Sequence, residues 1–180
     1  MSPTDTLVSL DEYLSTVYDP DCEYVDGELI ERNMGEFDHS ALQGIIFAML
    51  YAQGLSAQGM DSGFYAYLEL RVQVAATRYL VPDITVTTKK GKGKILREPP
   101  FLCIEILSPE DRVSRMEGKI DDFLSFGVKH VWLIDPRRKN AWSYTSEGKR
   151  EPSAVLTTSD PRITLALDPV FAKLADYVDE

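Results

Sequence analysis

Residues 101–136 read FLCIEILSPEDRVSRMEGKIDDFLSFGVKHVWLIDP, and this stretch decides the fold. Phe101-Leu102-Cys103-Ile104-Glu105-Ile106-Leu107 is an apolar run interrupted by one carboxylate, the pattern of a central strand buried on both faces. Ser108-Pro109 ends it. Val113, Met116, Ile120, Phe123 and Leu124 then recur at helical spacing, which predicts an amphipathic helix from Asp111 to Phe126 with Gly127 just past its end. His130-Val131-Trp132-Leu133-Ile134 is a second buried strand, stopped by Asp135-Pro136. Strand, helix, strand in this order implies a right-handed crossover and parallel pairing.

Working outward, Phe64 to Val74 and Tyr79 to Thr87 read as two further strands joined at Ala75-Ala76-Thr77. His39 to about Gln58 is a mainly apolar helix, with Asp38 as its expected N-cap. Glu23-Tyr24-Val25-Asp26-Gly27-Glu28-Leu29-Ile30 reads as a β-hairpin, because Asp-Gly accepts the positive φ angles of a two-residue turn. Ser9-Leu10-Asp11-Glu12 is a capping box that starts a short helix, Leu10 to Val17. Downstream, Asn140 to Tyr144 and Glu151 to Thr157 read as strands around the Glu147-Gly148 turn, and Asp168 to Tyr177 as a closing helix. The expected fold class is α/β (α+β): a mixed β-sheet flanked by helices, with an N-terminal helix and hairpin. No repeat or linker divides the chain. One domain over residues 1–180 is expected, its core at about 8–145 and its C-terminal strands and helix at 146–180.

The chain has 180 residues, 44% hydrophobic and 27% charged, as in ordinary globular proteins. No segment approaches a membrane span. Met1-Ser2-Pro3-Thr4-Asp5 lacks the basic and apolar regions of a secretory signal, so a cytoplasmic location is expected. Cys22 and Cys103 sit in apolar runs, which fits buried reduced thiols. His39 and His130 lie far apart, with no cysteine pair near either to make a zinc site. A net charge of −10 argues against broad electrostatic binding of nucleic acid. Lys89, Lys90, Lys92, Lys94 and Arg97 nevertheless cluster in one segment, and Arg137, Arg138 and Lys139 in another. Either cluster could be a solvated loop or a local basic patch.

Three residues carry chemistry. A carboxylate inside a buried strand is costly unless it is paired or binds a metal, which makes Glu105 informative. Alternation puts it on the face shared by Cys103 and Leu107. Asp83 follows Pro82, which restricts the site to an edge or to the start of regular pairing; alone, Asp83 could simply cap a turn. Two carboxylates converging from adjacent strands make a hard-oxygen site suited to Mg²⁺. Lys119 lies three residues after Met116 and four before Phe123, along the inward stripe of its helix, where it either reaches the carboxylates or snorkels. Together the three suit hydrolysis of a phosphodiester: the metal activates water, and the lysine positions or deprotonates that water or stabilises developing charge.

Pro82-Asp83 followed about twenty residues on by Glu105 resembles the PD-(D/E)XK nuclease signature. That signature places a lysine two residues after the Glu, where this chain has Leu107. The chain more specifically resembles a bacterial group of restriction-endonuclease-like proteins in that superfamily. The resemblance lies in Glu23 to Ile30, His39, Val81-Pro82-Asp83, Ile104 to Pro109, Lys119 and Gly127 to Pro136. In that group the lysine is displaced to the following helix, the position of Lys119.

The resemblance implies Asp83, Glu105 and Lys119 as catalytic residues. It also implies Asp83, Glu105 and the Ile106 carbonyl as ligands of Mg²⁺, with Mn²⁺ as a substitute. His39 matches a family position. Glu23, Glu28 and Glu31 are each able to supply one more carboxylate, and the sequence does not choose among them. The implied activity is metal-dependent endonucleolytic cleavage of DNA, and a homodimer is expected for cutting both strands. Two other readings stand beside it: a catalytically silent nuclease-fold module that binds nucleic acid or protein, and a hydrolase of a smaller phosphate ester.

Overall fold

A computed structural model of the chain describes residues 7–32, 37–57, 63–109, 111, 113–150 and 152–178. Helix α1 (Leu10–Ser15) starts where the capping box predicts, with the Ser9 hydroxyl accepting from the Glu12 amide at 3.2 Å. It ends before Val17, because Thr16 already has an extended backbone. Strands β1 (Cys22–Val25) and β2 (Glu28–Glu31) form the expected hairpin. Its turn residues Asp26 and Gly27 have φ values of 53° and 102°. Helix α2 spans Phe37–Ala57, so Asp38 is a first-turn residue and not the cap. Its carboxylate still accepts from the His39 amide, at 2.9 Å. Gln58, the expected end, lies outside the described residues.

Each of the two long strands expected next is broken in two. Phe64 to Val74 divides into β3 (Tyr65–Leu68) and β4 (Val72–Ala75) where Glu69 takes a φ of 49°. Tyr79 to Thr87 divides into β5 (Arg78–Leu80) and β6 (Ile84–Thr87) at Val81-Pro82-Asp83, since Pro82 has no amide proton to donate to a ladder. The decisive stretch forms β7 (Leu102–Ile106), α3 (Val113–Phe126) and β8 (His130–Asp135), and β7 and β8 pair in parallel as expected. Gly127 ends α3 at a φ of 108°. Beyond lie β9 (Asn140–Thr145), β10 (Gly148–Arg150), β11 (Val155–Thr157), β12 (Thr164–Ala166) and α4 (Leu167–Val178). The strand expected over Glu151 to Thr157 is thus only its second half, and Glu151 lies outside the described residues. The partner β12 was not expected.

The strands form two sheets and a ribbon where one mixed sheet was expected. A six-stranded sheet has the order β10-β9-β8-β7-β6-β3, a four-stranded sheet the order β2-β1-β5-β4, and β11 pairs with β12. Alternation along β7 and β8 sorts the core. Leu102, Ile104, Ile106, Trp132 and Ile134 face α2 and α4 and pack with Leu42, Ile46, Leu50 and Phe171. Cys103, Val131 and Leu133 face the other way, onto Met116, Ile120 and Phe123 of α3 and onto Val72, Val74 and Leu80. Helix α3 therefore fills the space between the two sheets. On the far side of the smaller sheet, Tyr24 stacks on Tyr13 of α1, and the Tyr79 ring packs against it at a tilt. Both cysteines are buried and unbridged. Among the described residues, no helix is long and apolar enough to cross a membrane.

Candidate active site

The chain crosses from the small sheet to the large one at Val81-Pro82-Asp83, and the candidate residues gather there. Glu23 approaches from β1, Asp83 from the crossing, Glu105 from β7 and Lys119 from α3. Glu23, Asp83 and Glu105 are 3%, 6% and 3% exposed, a degree of burial that demands compensation. Lys119 supplies most of it. Its ammonium lies 2.7 Å from Glu23 Oε1 and 2.9 Å from Glu105 Oε2, and donates to the Val81 carbonyl at 3.3 Å. Glu23 Oε1 also accepts from the Val81 amide at 2.8 Å, which fixes the crossing in place.

Asp83 has a separate set of partners. Its Oδ2 accepts from the Ile106 amide at 2.7 Å and lies 3.5 Å from His39 Nε2, and its Oδ1 lies 3.4 Å from Arg32. The Gln43 amide donates to the Asp83 carbonyl at 3.0 Å. Arg32, His39, Gln43 and Arg115 complete the wall of a cavity of about 140 Å³ that Glu23, Asp83, Glu105 and Lys119 also line.

The charges are set by burial working against neighbours. Burial, helped by Asp83 and Glu23 and opposed by Lys119, pushes the Glu105 carboxyl up to about 8. Burial acts the same way on Asp83, but hydrogen bonding and charge from His39 outweigh it and hold that carboxyl below its ordinary value. Burial pulls His39 down, and its contacts with Asp83 and the Ile106 carbonyl more than reverse this. Burial would also strip Lys119 of its proton; Glu105, Glu23 and Asp83 together raise its pKa instead. Lys119 is thus an ammonium throughout the physiological range.

The metal expected from the sequence can be tested against these groups. Glu105 Oε1 is a buried oxygen with no hydrogen-bond partner, while Oε2 is held by Lys119. A carboxylate with one orphaned oxygen, on a residue that lines the same cavity as a second, ionised carboxylate, suits a hard cation. Among the described residues, no three His, Cys, Asp or Glu side chains cluster to hold a metal unaided. Mg²⁺ does not need three, because it is commonly held by one or two carboxylates and keeps waters for its other positions.

Of the three hairpin carboxylates considered from sequence, the structure brings only Glu23 to the cavity. Glu28 and Glu31 are exposed. Arg32, Gln43 and Arg115 were not singled out from sequence. Arg115 could have been, since it precedes Lys119 by one helical turn and so shares its face; its Nη2 is 3.8 Å from Glu23. Arg32 and Gln43 reach Asp83 only through tertiary approach.

The sequence model of a family described as "Uma2: Putative restriction endonuclease" matches residues 10–175. No curated protein matches the chain. The crystal structure of a putative nuclease from Anabaena variabilis is similar over 93% of this chain and 99% of that one, at 26% identity and a TM-score of 0.78. The mixed α+β architecture of the chain, with four helices among the described residues, is therefore similar to that of a nuclease-fold structure.

Proposed function

Since the chain belongs to the Uma2 family of putative restriction endonucleases, within the PD-(D/E)XK fold group, we propose that it is a Mg²⁺-dependent endonuclease that hydrolyses phosphodiester bonds of DNA. The observation that carries this reading is the buried, unpartnered Glu105 Oε1 beside ionised Asp83. Asp83, Glu105 and the Ile106 carbonyl would hold the ion, with Mn²⁺ as a substitute. Bound there, the ion supplies Lewis acidity and lowers the pKa of a water.

The protein's own groups do the rest. Lys119 fixes Glu105 through Oε2 and leaves Oε1 without a protein partner. Because its proton is held tightly, Lys119 positions groups and stabilises developing negative charge, and the alternative of abstracting a proton from water is disfavoured. Glu23 holds Lys119 and the crossing backbone, a positioning role. His39 orients Asp83. Arg32 and Arg115 are placed on the wall to meet phosphate oxygens.

The cavity, at about 140 Å³, is well below the roughly 300–1,000 Å³ of sites that enclose a small-molecule ligand. It admits a phosphate group and leaves the remainder of the substrate outside, which favours a polymer over an enclosed small ester. Cutting both strands of a duplex calls for two such sites, and a two-fold homodimer belongs to this reading. The test is incubation of wild type, Asp83→Asn and Lys119→Met with labelled duplex and single-stranded DNA, with Mg²⁺, with Mn²⁺ and with EDTA. Internal cleavage by the wild type alone, and only with metal, is expected. Equal cleavage by all three proteins would trace the activity to a contaminant and sink the proposal.

A further inference from the structure

We propose that the loop of residues 88–98 is a nucleic-acid-binding surface that grips the phosphate backbone beside the cavity. This rests on the nuclease reading and extends it to substrate capture. Lys89, Lys90, Lys92, Lys94 and Arg97 are all exposed. Among the described residues, none of the four lysines has a carboxylate partner, in a chain whose net charge is −10. Cations gathered on one segment raise a local positive potential, which attracts a polyanion even where the chain as a whole is acidic.

The loop is not a loose tether. The Thr87 hydroxyl donates to the Lys89 carbonyl at 2.6 Å, and the Gly91 amide to the Tyr67 hydroxyl at 2.8 Å. The Leu96 amide donates to the Arg71 carbonyl and the Gln73 amide to the Leu96 carbonyl, both at 2.9 Å. Arg97 Nε reaches Gln73 Oε1 at 3.1 Å, and Ile95 packs against the Tyr13, Tyr24 and Tyr79 cluster. These bonds fix the backbone that carries the cations, which reduces the ordering cost of a complex.

The anchors also say where the array sits. Tyr67 lies two residues before Glu69, and Arg71 and Gln73 two and four residues after it. Glu69 lines the cavity and is 3.4 Å from Arg32. At about 3.3 Å per residue, the loop is fastened to the chain within roughly 7–13 Å of Glu69, before and after it in sequence. A backbone lying along the lysines would thus run close to Glu69, at one edge of the cavity. Phosphate contacts of this kind position a substrate without reading its sequence.

The experiment measures binding apart from cleavage. Fluorescence anisotropy with labelled duplex DNA, single-stranded DNA and RNA of one sequence is followed in Ca²⁺ and in EDTA, across about 50–200 mM salt. The variant carries Lys89→Gln, Lys90→Gln, Lys92→Gln and Lys94→Gln, and circular dichroism checks its fold. A control variant carries Arg137→Gln, Arg138→Gln and Lys139→Gln. For the loop variant, the slope of log affinity against log salt should fall by about three units, with affinity at least tenfold weaker. The control should stay near the wild type. Loop-dependent binding to either polymer supports the proposal, and the tighter complex identifies the substrate.

Wild-type affinity and slope in the loop variant, an equal loss in the control, or no binding of any nucleic acid by the wild type would each overturn it. Failure of the nuclease reading looks different. In that case the wild type binds nucleic acid through the loop, yet hydrolyses neither it nor bis(p-nitrophenyl) phosphate with any divalent metal.

Discussion

Lys119 Nζ lies 2.9 Å from Glu105 Oε2, yet lysine and glutamate belong to different elements, α3 and β7. The same ammonium lies 2.7 Å from Glu23 on the other sheet. One side chain therefore ties both sheets together, and its removal strands two buried carboxylates. Lys119→Ala should lose about 3–5 kcal/mol of stability without metal, the cost of an unpaired buried charge. Urea unfolding in EDTA measures this, and Mg²⁺ should restore part of it. Activity should fall about a hundredfold or more. A variant as stable as the wild type would show that the bridge contributes little.

Glu105 links pH to stability with a definite sign. Its folded-state pKa, about 8, lies above its ordinary value of 4.5, so between them the folded chain holds a proton that the unfolded chain has released. The contribution is complete below about 4.5 and is lost as pH rises through about 8. In EDTA, stability should decline across this window by at most about 1.4 kcal/mol per pH unit. Glu105→Gln should flatten the decline and abolish metal binding. A decline that persists unchanged in the variant would assign it to another group.

His39 should matter to metal affinity. It contacts Asp83 Oδ2 at 3.5 Å and orients that carboxylate. His39→Ala should weaken Mn²⁺ binding by about 10–100-fold in titration calorimetry, as removal of an orienting partner does. Asp83→Asn should remove binding altogether. Unaltered affinity in His39→Ala would confine the histidine to the start of α2.

Two glycines of α2 should respond oppositely to alanine. A Cβ at Gly54 would sit 2.8 Å from the Phe64 carbonyl oxygen, whereas at Gly44 it meets nothing within 4 Å. Gly54→Ala should cost about 1–3 kcal/mol through overpacking. Gly44→Ala should gain up to about 1 kcal/mol through helix propensity. Thermal melts of the two variants check both signs, and equal shifts would contradict the packing of α2 on the segment entering β3.

Residues 101–136 were legible because buried alternation, helical spacing and Gly127 all favour the same crossover. The division of Tyr79 to Thr87 was hinted at only by Pro82, because the apolar run Leu80-Val81-Pro82 continues while the backbone changes sheets. Glu69 gave no warning of its left-handed turn. Asp83, Glu105 and Lys119 could be picked out as buried or inward-facing charges, and the structure places them around one cavity. The choice of Glu23 over Glu28 and Glu31 required the tertiary structure. Both faces of the small sheet are covered, one by α1 and one by α3, so alternation alone cannot say which face meets the site.

Glu23, His39, Asp83, Glu105 and Lys119 come from β1, α2, the β5–β6 crossing, β7 and α3. No contiguous half of the chain holds the whole set. A nascent chain or proteolytic fragment that stops short of Lys119 therefore lacks part of the centre. If the site cuts as proposed, cutting would have to await the docking of α3 between the two sheets.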